Sequence, residues 1–112
     1  MLIPALTLPN PVKIGSGHAA QSLSGNLVLG SSDAQFQRID PNGSARDVTL
    51  PAEEASEGLF FWILNTANAA ENLVVKNDAA STVVTISQNE AAVVVCDGSS
   101  WEHMGIITIA QS

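Results

Sequence analysis

The chain has 112 residues, of which 11 are acidic and 4 basic, for a formal net charge of -7; that length holds one domain. Such an acidic excess, with the four cations scattered, excludes an electrostatic footprint for nucleic acid or anionic lipid. Hydrophobic residues make up 46% of the chain and charged residues 13%, enough to fill one modest core, and no apolar run approaches the ~20 residues of a helical membrane span.

Residues 1–17 read MLIPALTLPNPVKIGSG. Pro4, Pro9 and Pro11 exclude a helix and most of a regular strand. Leu2, Ile3, Leu6, Leu8, Val12 and Ile14 are nevertheless apolar, whereas disordered tails are usually polar. The stretch therefore reads as an extended arm, residues 1–17, that needs a surface to lie on. That surface is its own domain, or else a neighbouring subunit or another protein, and those six residues are the candidate partner-binding set. The same stretch has no basic segment leading into a long apolar run, so it does not read as a secretory signal. Cys96 is the only cysteine, which leaves no intrachain disulfide and no thiolate zinc cluster. Together these features predict a protein made and folded in a reducing cytoplasm.

Residues 18–112 read as a single β-domain of short apolar runs separated by turn chemistry. Strands are predicted at 24–29 and 35–39, the second ending in Asp40-Pro41-Asn42-Gly43. Proline presets φ and glycine accepts positive φ, so this is a strong turn signal. It predicts residues 46–50 as a hairpin partner, stopped by Pro51. The acidic stretch 51–58 has Pro at its start and Gly at its end, which suits a single helical turn. Residues 59–64, Leu-Phe-Phe-Trp-Ile-Leu, are apolar on both faces and read as a central strand covered on both sides. Strands follow at 73–76, 82–87, 91–96 and 101–109, rich in Val, Ile and Thr. Their spacing of about 10 residues predicts an antiparallel β-sandwich or small barrel of about seven or eight strands. A short echo relates Asn26-Leu27-Val28 to Asn72-Leu73-Val74.

No constellation in the sequence carries catalysis. Cys96 follows Val93-Val94-Val95 and reads as a small buried hydrophobe, with no helix terminus or cationic cluster to activate it towards His103. His18 and His103 lack spaced metal-ligand partners, and Asp33, Asp40, Asp78 and Asp97 sit in predicted turns, where aspartates bond their own backbone. Glu53, Glu54 and Glu57 share one acidic loop rather than flanking a cleft. Trp62, Trp101 and His103 together suit a sugar-stacking platform, but Trp62 lies in the doubly apolar run and reads as core. The expectation is a protein that is not an enzyme and holds no metal or cofactor.

The chain also carries, in order, Val48-Thr49-Leu50-Pro51, Gly58, Phe61-Trp62-Ile63-Leu64-Asn65, Leu73-Val74-Val75 and Asp97-Gly98-Ser99-Ser100-Trp101. This succession, between residues 37 and 104, resembles a pattern in the β-domains of tailed-bacteriophage virion structural proteins. Such domains occur there as capsid decoration (cement) proteins, head fibres and tail-fibre modules. The short chain with a proline-bearing arm looks most like a decoration protein. The resemblance implies a role outside the assembled head, with the major capsid protein as partner and the virion as location. A receptor- or glycan-binding fibre domain is the alternative. Low charge, the doubly apolar strand and a small domain, which buries proportionally less of its own surface, predict shared apolar surface. At the three-fold positions of a capsid, that means a homotrimer.

Overall fold

The structure, a computed structural model, describes residues 17–109. It is all-β, with nine strands in two mixed sheets packed as a small sandwich. The strands are β1 (His18–Ser22), β2 (Leu27–Val28), β3 (Phe36–Asp40), β4 (Arg46–Thr49), β5 (Phe60–Asn65), β6 (Leu73–Lys76), β7 (Thr82–Ile86), β8 (Glu90–Cys96) and β9 (Trp101–Thr108). A single 3₁₀ turn, Glu53–Ala55, occupies the acidic stretch. One sheet has the order β1-β3-β5-β8-β9 and the other β2-β4-β6-β7.

The sandwich is as the sequence predicts; the antiparallel pairing is not general. Pairs β1–β3, β3–β5, β2–β4 and β4–β6 are parallel, while β5–β8, β6–β7 and β8–β9 are antiparallel. Up to β6, successive strands alternate between the sheets, so the chain winds as three stacked coils: β1 with β2, β3 with β4, β5 with β6. Residues 46–50 are therefore not the hairpin partner of 35–39. The predicted turn chemistry is present, with Asn42 at φ 61° and Gly43 at φ 103°. Its hydrogen bonds hold it as a crossover. Asn42 Nδ2 donates to Leu23 O in the preceding coil at 3.1 Å. The Arg46 guanidinium donates to Pro41 O and Asn42 O.

The core lies between the sheets. Ile39, Phe61, Ile63, Val94 and Trp101 come from the five-stranded sheet, and Val48, Leu73, Val75, Val84 and Ile86 from the other. Trp101 closes one end, its ring 5.9 Å from that of Phe61 and its Nε1 donating to Pro51 O at 2.9 Å. At the β1 edge the core turns polar: Gln21 Nε2 donates to Gln37 Oε1, and Gln37 Nε2 to Ala34 O.

β5 is the central strand of its sheet, as expected, but only its inner face is buried. Phe61, Ile63 and Asn65 point inward; Phe60, Trp62 and Leu64 line the outer face. Trp62 is thus not core. Inward-facing Asn65 clamps the crossover to β6: its Nδ2 donates to Glu71 O (2.8 Å) and Ile86 O (2.9 Å), and its Oδ1 accepts from Ala67 N (2.9 Å). Replacing Asn65 by Ala leaves three main-chain groups without these partners. It should destabilise the domain by about 3 kcal/mol in urea unfolding; a loss below about 1 kcal/mol would show the clamp to be dispensable.

Candidate surface for partner binding

Val28, 71% exposed, lies on β2 of the four-stranded sheet, and the outer face of the five-stranded sheet carries most of the other exposed apolar side chains. Strand register aligns them in rows. One row runs His18, Phe36, Trp62, Val93; the next runs Ala20, Arg38, Leu64, Ala91, Ile107; a third runs Phe60, Val95, Glu102. In the first row the rings lean on one another: His18 and Phe36 are 5.1 Å apart and tilted by 44°, Phe36 and Trp62 5.7 Å apart and tilted by 39°. Phe36 is 37% and Trp62 46% exposed.

Beside this row the leading ends of β1, β3 and β5 form an apolar groove of about 230 Å³, lined by Gly17, Gln35, Phe36, Phe60 and Trp62. Main-chain bonds fix its walls: Phe36 N donates to Gly17 O and Trp62 N to Gln35 O. The Gln35 amide nitrogen is spent on Phe60 O.

Among the described residues the far edge of the same sheet is β9, which pairs only with β8. His103 faces Val94 and Ile106 faces Ala92, so Met104 and Gly105 together oppose Val93. That two-against-one count is a β-bulge, and Gly105 takes its φ of 111°, a conformation glycine adopts without Cβ strain. Met104 is 73%, Ile106 47% and Ile107 54% exposed. A long apolar edge strand of this kind is an interaction or aggregation site unless something covers it.

The sequence-predicted partner residues Leu2, Ile3, Leu6, Leu8, Val12 and Ile14 lie outside the described residues. Cys96 is buried and faces Trp101, whereas His103 faces Val94; the two are not brought together. Asp33, Asp40 and Asp97 accept hydrogen bonds from the backbone of their own turns. In the turn containing Asp78, Asn77 does so instead. Among the described residues no group of three His, Cys, Asp or Glu is placed to hold a metal ion, and no helix is long and apolar enough to cross a membrane. The surface residues that sequence reasoning missed are Phe36, Trp62 and the β9 apolar set. Their signal was alternation: Trp62 shares parity with Phe60 and Leu64, opposite to Phe61 and Ile63.

No protein-family model matches the chain, and neither does any curated protein or solved structure.

Two carboxyl groups away from this surface have shifted acidity, in opposite directions. Hydrogen bonding to the Asp78 side chain holds the Glu53 carboxyl above its usual range. The backbone N–H groups of Ser99 and Ser100 hold Asp97 below it. A raised folded-state value contributes stability at low pH that is lost as pH rises through it; a lowered value contributes stability that is lost as pH falls through it. Glu53→Gln should therefore raise Tm at pH 7, with the gain vanishing below the carboxylate range. Asp97→Asn should lower Tm at pH 7, and its deficit should shrink below about pH 4. Thermal melts of both variants across pH 3–7 check the two signs.

Proposed function

We propose that the protein is a non-enzymatic decoration protein of a tailed-bacteriophage head, which binds the outer face of the assembled capsid and stabilises it. The observation that carries this reading is the apolar outer face and edge of the five-stranded sheet, at Phe36, Trp62, Met104, Ile106 and Ile107, on an otherwise acidic domain. Exposed apolar surface of this kind suits contact with other protein chains. The pattern from Val48 through Trp101 supplies the phage context.

The mechanism is linkage. A protein that binds the closed lattice but not free capsid subunits shifts the equilibrium towards the intact shell. The partner is the major capsid protein, the location the virion, and the bound form a homotrimer sharing apolar surface at three-fold positions. Light scattering at micromolar concentration, alone and with shells, tests the trimer. A monomer in both settings would count against it.

A second reading, a receptor- or glycan-binding fibre domain, is favoured by one observation: Trp62 is exposed beside a groove. Sugar stacking uses open ring faces, however, and the rings of His18, Phe36 and Trp62 lean on one another. Incubating the protein with undecorated capsids and with bacterial cells separates the readings, since a cement protein pellets with shells and a receptor domain with cells.

Contact must rest on apolar and hydrogen-bonded groups, because at -7 the chain repels an acidic exterior, and surface charge is screened within ~8 Å at physiological salt. Two of the four cations are already engaged internally: Lys76 pairs with Asp47 at 3.1 Å and Arg46 with main-chain carbonyls. Attachment should survive molar salt. Replacing Leu6 and Leu8 by Asp should weaken it more than reversing Lys13, Arg38, Arg46 or Lys76. Capsid pelleting across a salt series checks this; binding lost in molar salt but kept by the Leu variants would show that charge holds the complex.

A further inference from the structure

The groove at the leading ends of β1, β3 and β5 has a built-in candidate occupant. We propose that Val12 and Ile14 of the same chain fill it, anchoring the arm on its own domain and leaving Leu2, Ile3, Leu6 and Leu8 outboard.

Placement is the first argument. Gly17 lines the groove, and its carbonyl is fixed by Phe36 N, so the chain enters the domain at the groove itself. Ile14 lies three residues earlier, a reach of at most ~10 Å. The intervening Gly15-Ser16 and the positive φ of Gly17, 93°, suit a chain that folds back on entry.

Chemistry is the second. The walls are Phe36, Phe60 and Trp62, and the Gln35 amide nitrogen is already spent on Phe60 O. Nothing there offers a charged group to orient a polar ligand, and about 230 Å³ is below the ~300–1,000 Å³ of small-ligand pockets. Branched aliphatic side chains match those walls. In an extended segment Val12 and Ile14 fall on one side and Lys13 on the other, so two apolar groups enter while the cation stays in water.

The third argument is tethering. A short linker gives its segment an effective concentration of ~mM at a neighbouring site, so even weak intrinsic affinity keeps the groove occupied. Pro9-Asn10-Pro11 then acts as a stiff spacer between the anchored pair and the outboard leucines.

Acrylamide quenching of tryptophan fluorescence tests this without reference to capsids, and so independently of the proposed function. Trp62 forms a groove wall, whereas Trp101 is buried and supplies a constant background. Deleting residues 1–14 should raise quenching of the Trp62 component about twofold, as its apolar cover is exchanged for water. Ile14→Asp should do the same and Ile14→Leu should not. Far-UV circular dichroism confirms that each variant keeps its sheets. Equal quenching in wild type, the deletion and Ile14→Asp would overturn the proposal. So would protection that fades on dilution from micromolar to nanomolar, which would assign the groove to another copy's arm. Exposure on deletion but not in Ile14→Asp or Val12→Asp would overturn the choice of these two residues.

Discussion

Stacked parallel rungs satisfy their main-chain groups only against the rung on either side, so both ends of the stack present open edges. Most other features of this domain answer that constraint. At the far end the chain reverses: β7 pairs antiparallel with β6, and β8 with β5. Asn65 sits at this change of direction, tying the β5–β6 crossover to the carbonyl of Ile86 in β7. The reversal does not remove the edges; among the described residues it hands them to β9 in one sheet and β7 in the other. At the near end, β2 is only two residues long, and very short edge strands are one way to blunt an open edge. Beside it the Gln21–Gln37 hydrogen bond ends the core with a polar pair.

How much of this was legible in the sequence follows from the range of each interaction. The β8–β9 hairpin announced itself locally. Asp97 accepts from two backbone N–H groups of its own turn, and Gly98, at φ 96°, packs so close to Glu57 that an added Cβ would lie 3.3 Å from Glu57 Cγ. The parallel rungs had no such local signature. His18 faces Phe36, and Phe36 faces Trp62, across long stretches of intervening chain. Turn chemistry at Asn42-Gly43 fixed a reversal without saying which sheet would receive the next strand. The echo of Asn26-Leu27-Val28 in Asn72-Leu73-Val74 is real in phase but displaced. Through β4, Leu27 and Val28 align with Val75 and Lys76, two residues further on.

The surface was harder to read because one strand looked alike on both faces. In β5 the apolar run hides its alternation, and the one polar residue, Asn65, points inward for its three hydrogen bonds while Trp62 points out. The aromatic row also has a structural role. Registered rings on neighbouring strands act as cross-strand pairs, and aromatic pairs contribute about 0.5–1.5 kcal/mol each beyond area burial. His18, Phe36 and Trp62 thus reinforce the parallel ladders, which have no hairpins to hold them. That role accounts for the rings' contact with one another but not for the exposed remainder of Trp62, nor for the exposure of Met104 and Ile107.

The charge distribution narrows what such a surface can do. Asp33, Asp40 and Asp97 are committed to turn backbones, and Glu53 and Glu54 lie in the 3₁₀ turn. The three registered rows of the outer sheet face carry only Arg38 and Glu102 as formal charges. Acidity is thus largely kept at the loops, and the exposed rings and the β9 apolar set lie on one sheet, with Val28 on the other. Long-range repulsion between copies at -7 opposes indiscriminate association, yet fades within a Debye length, so only a partner that fits the sheet face at contact distance gains from it. An arm anchored there, as proposed, would add a second, tethered contact, and tethered contacts multiply affinity only where geometry lets both engage at once. A fixed lattice would meet that condition and a free subunit need not, so on the proposed reading modest apolar contacts would become selective for an assembled shell.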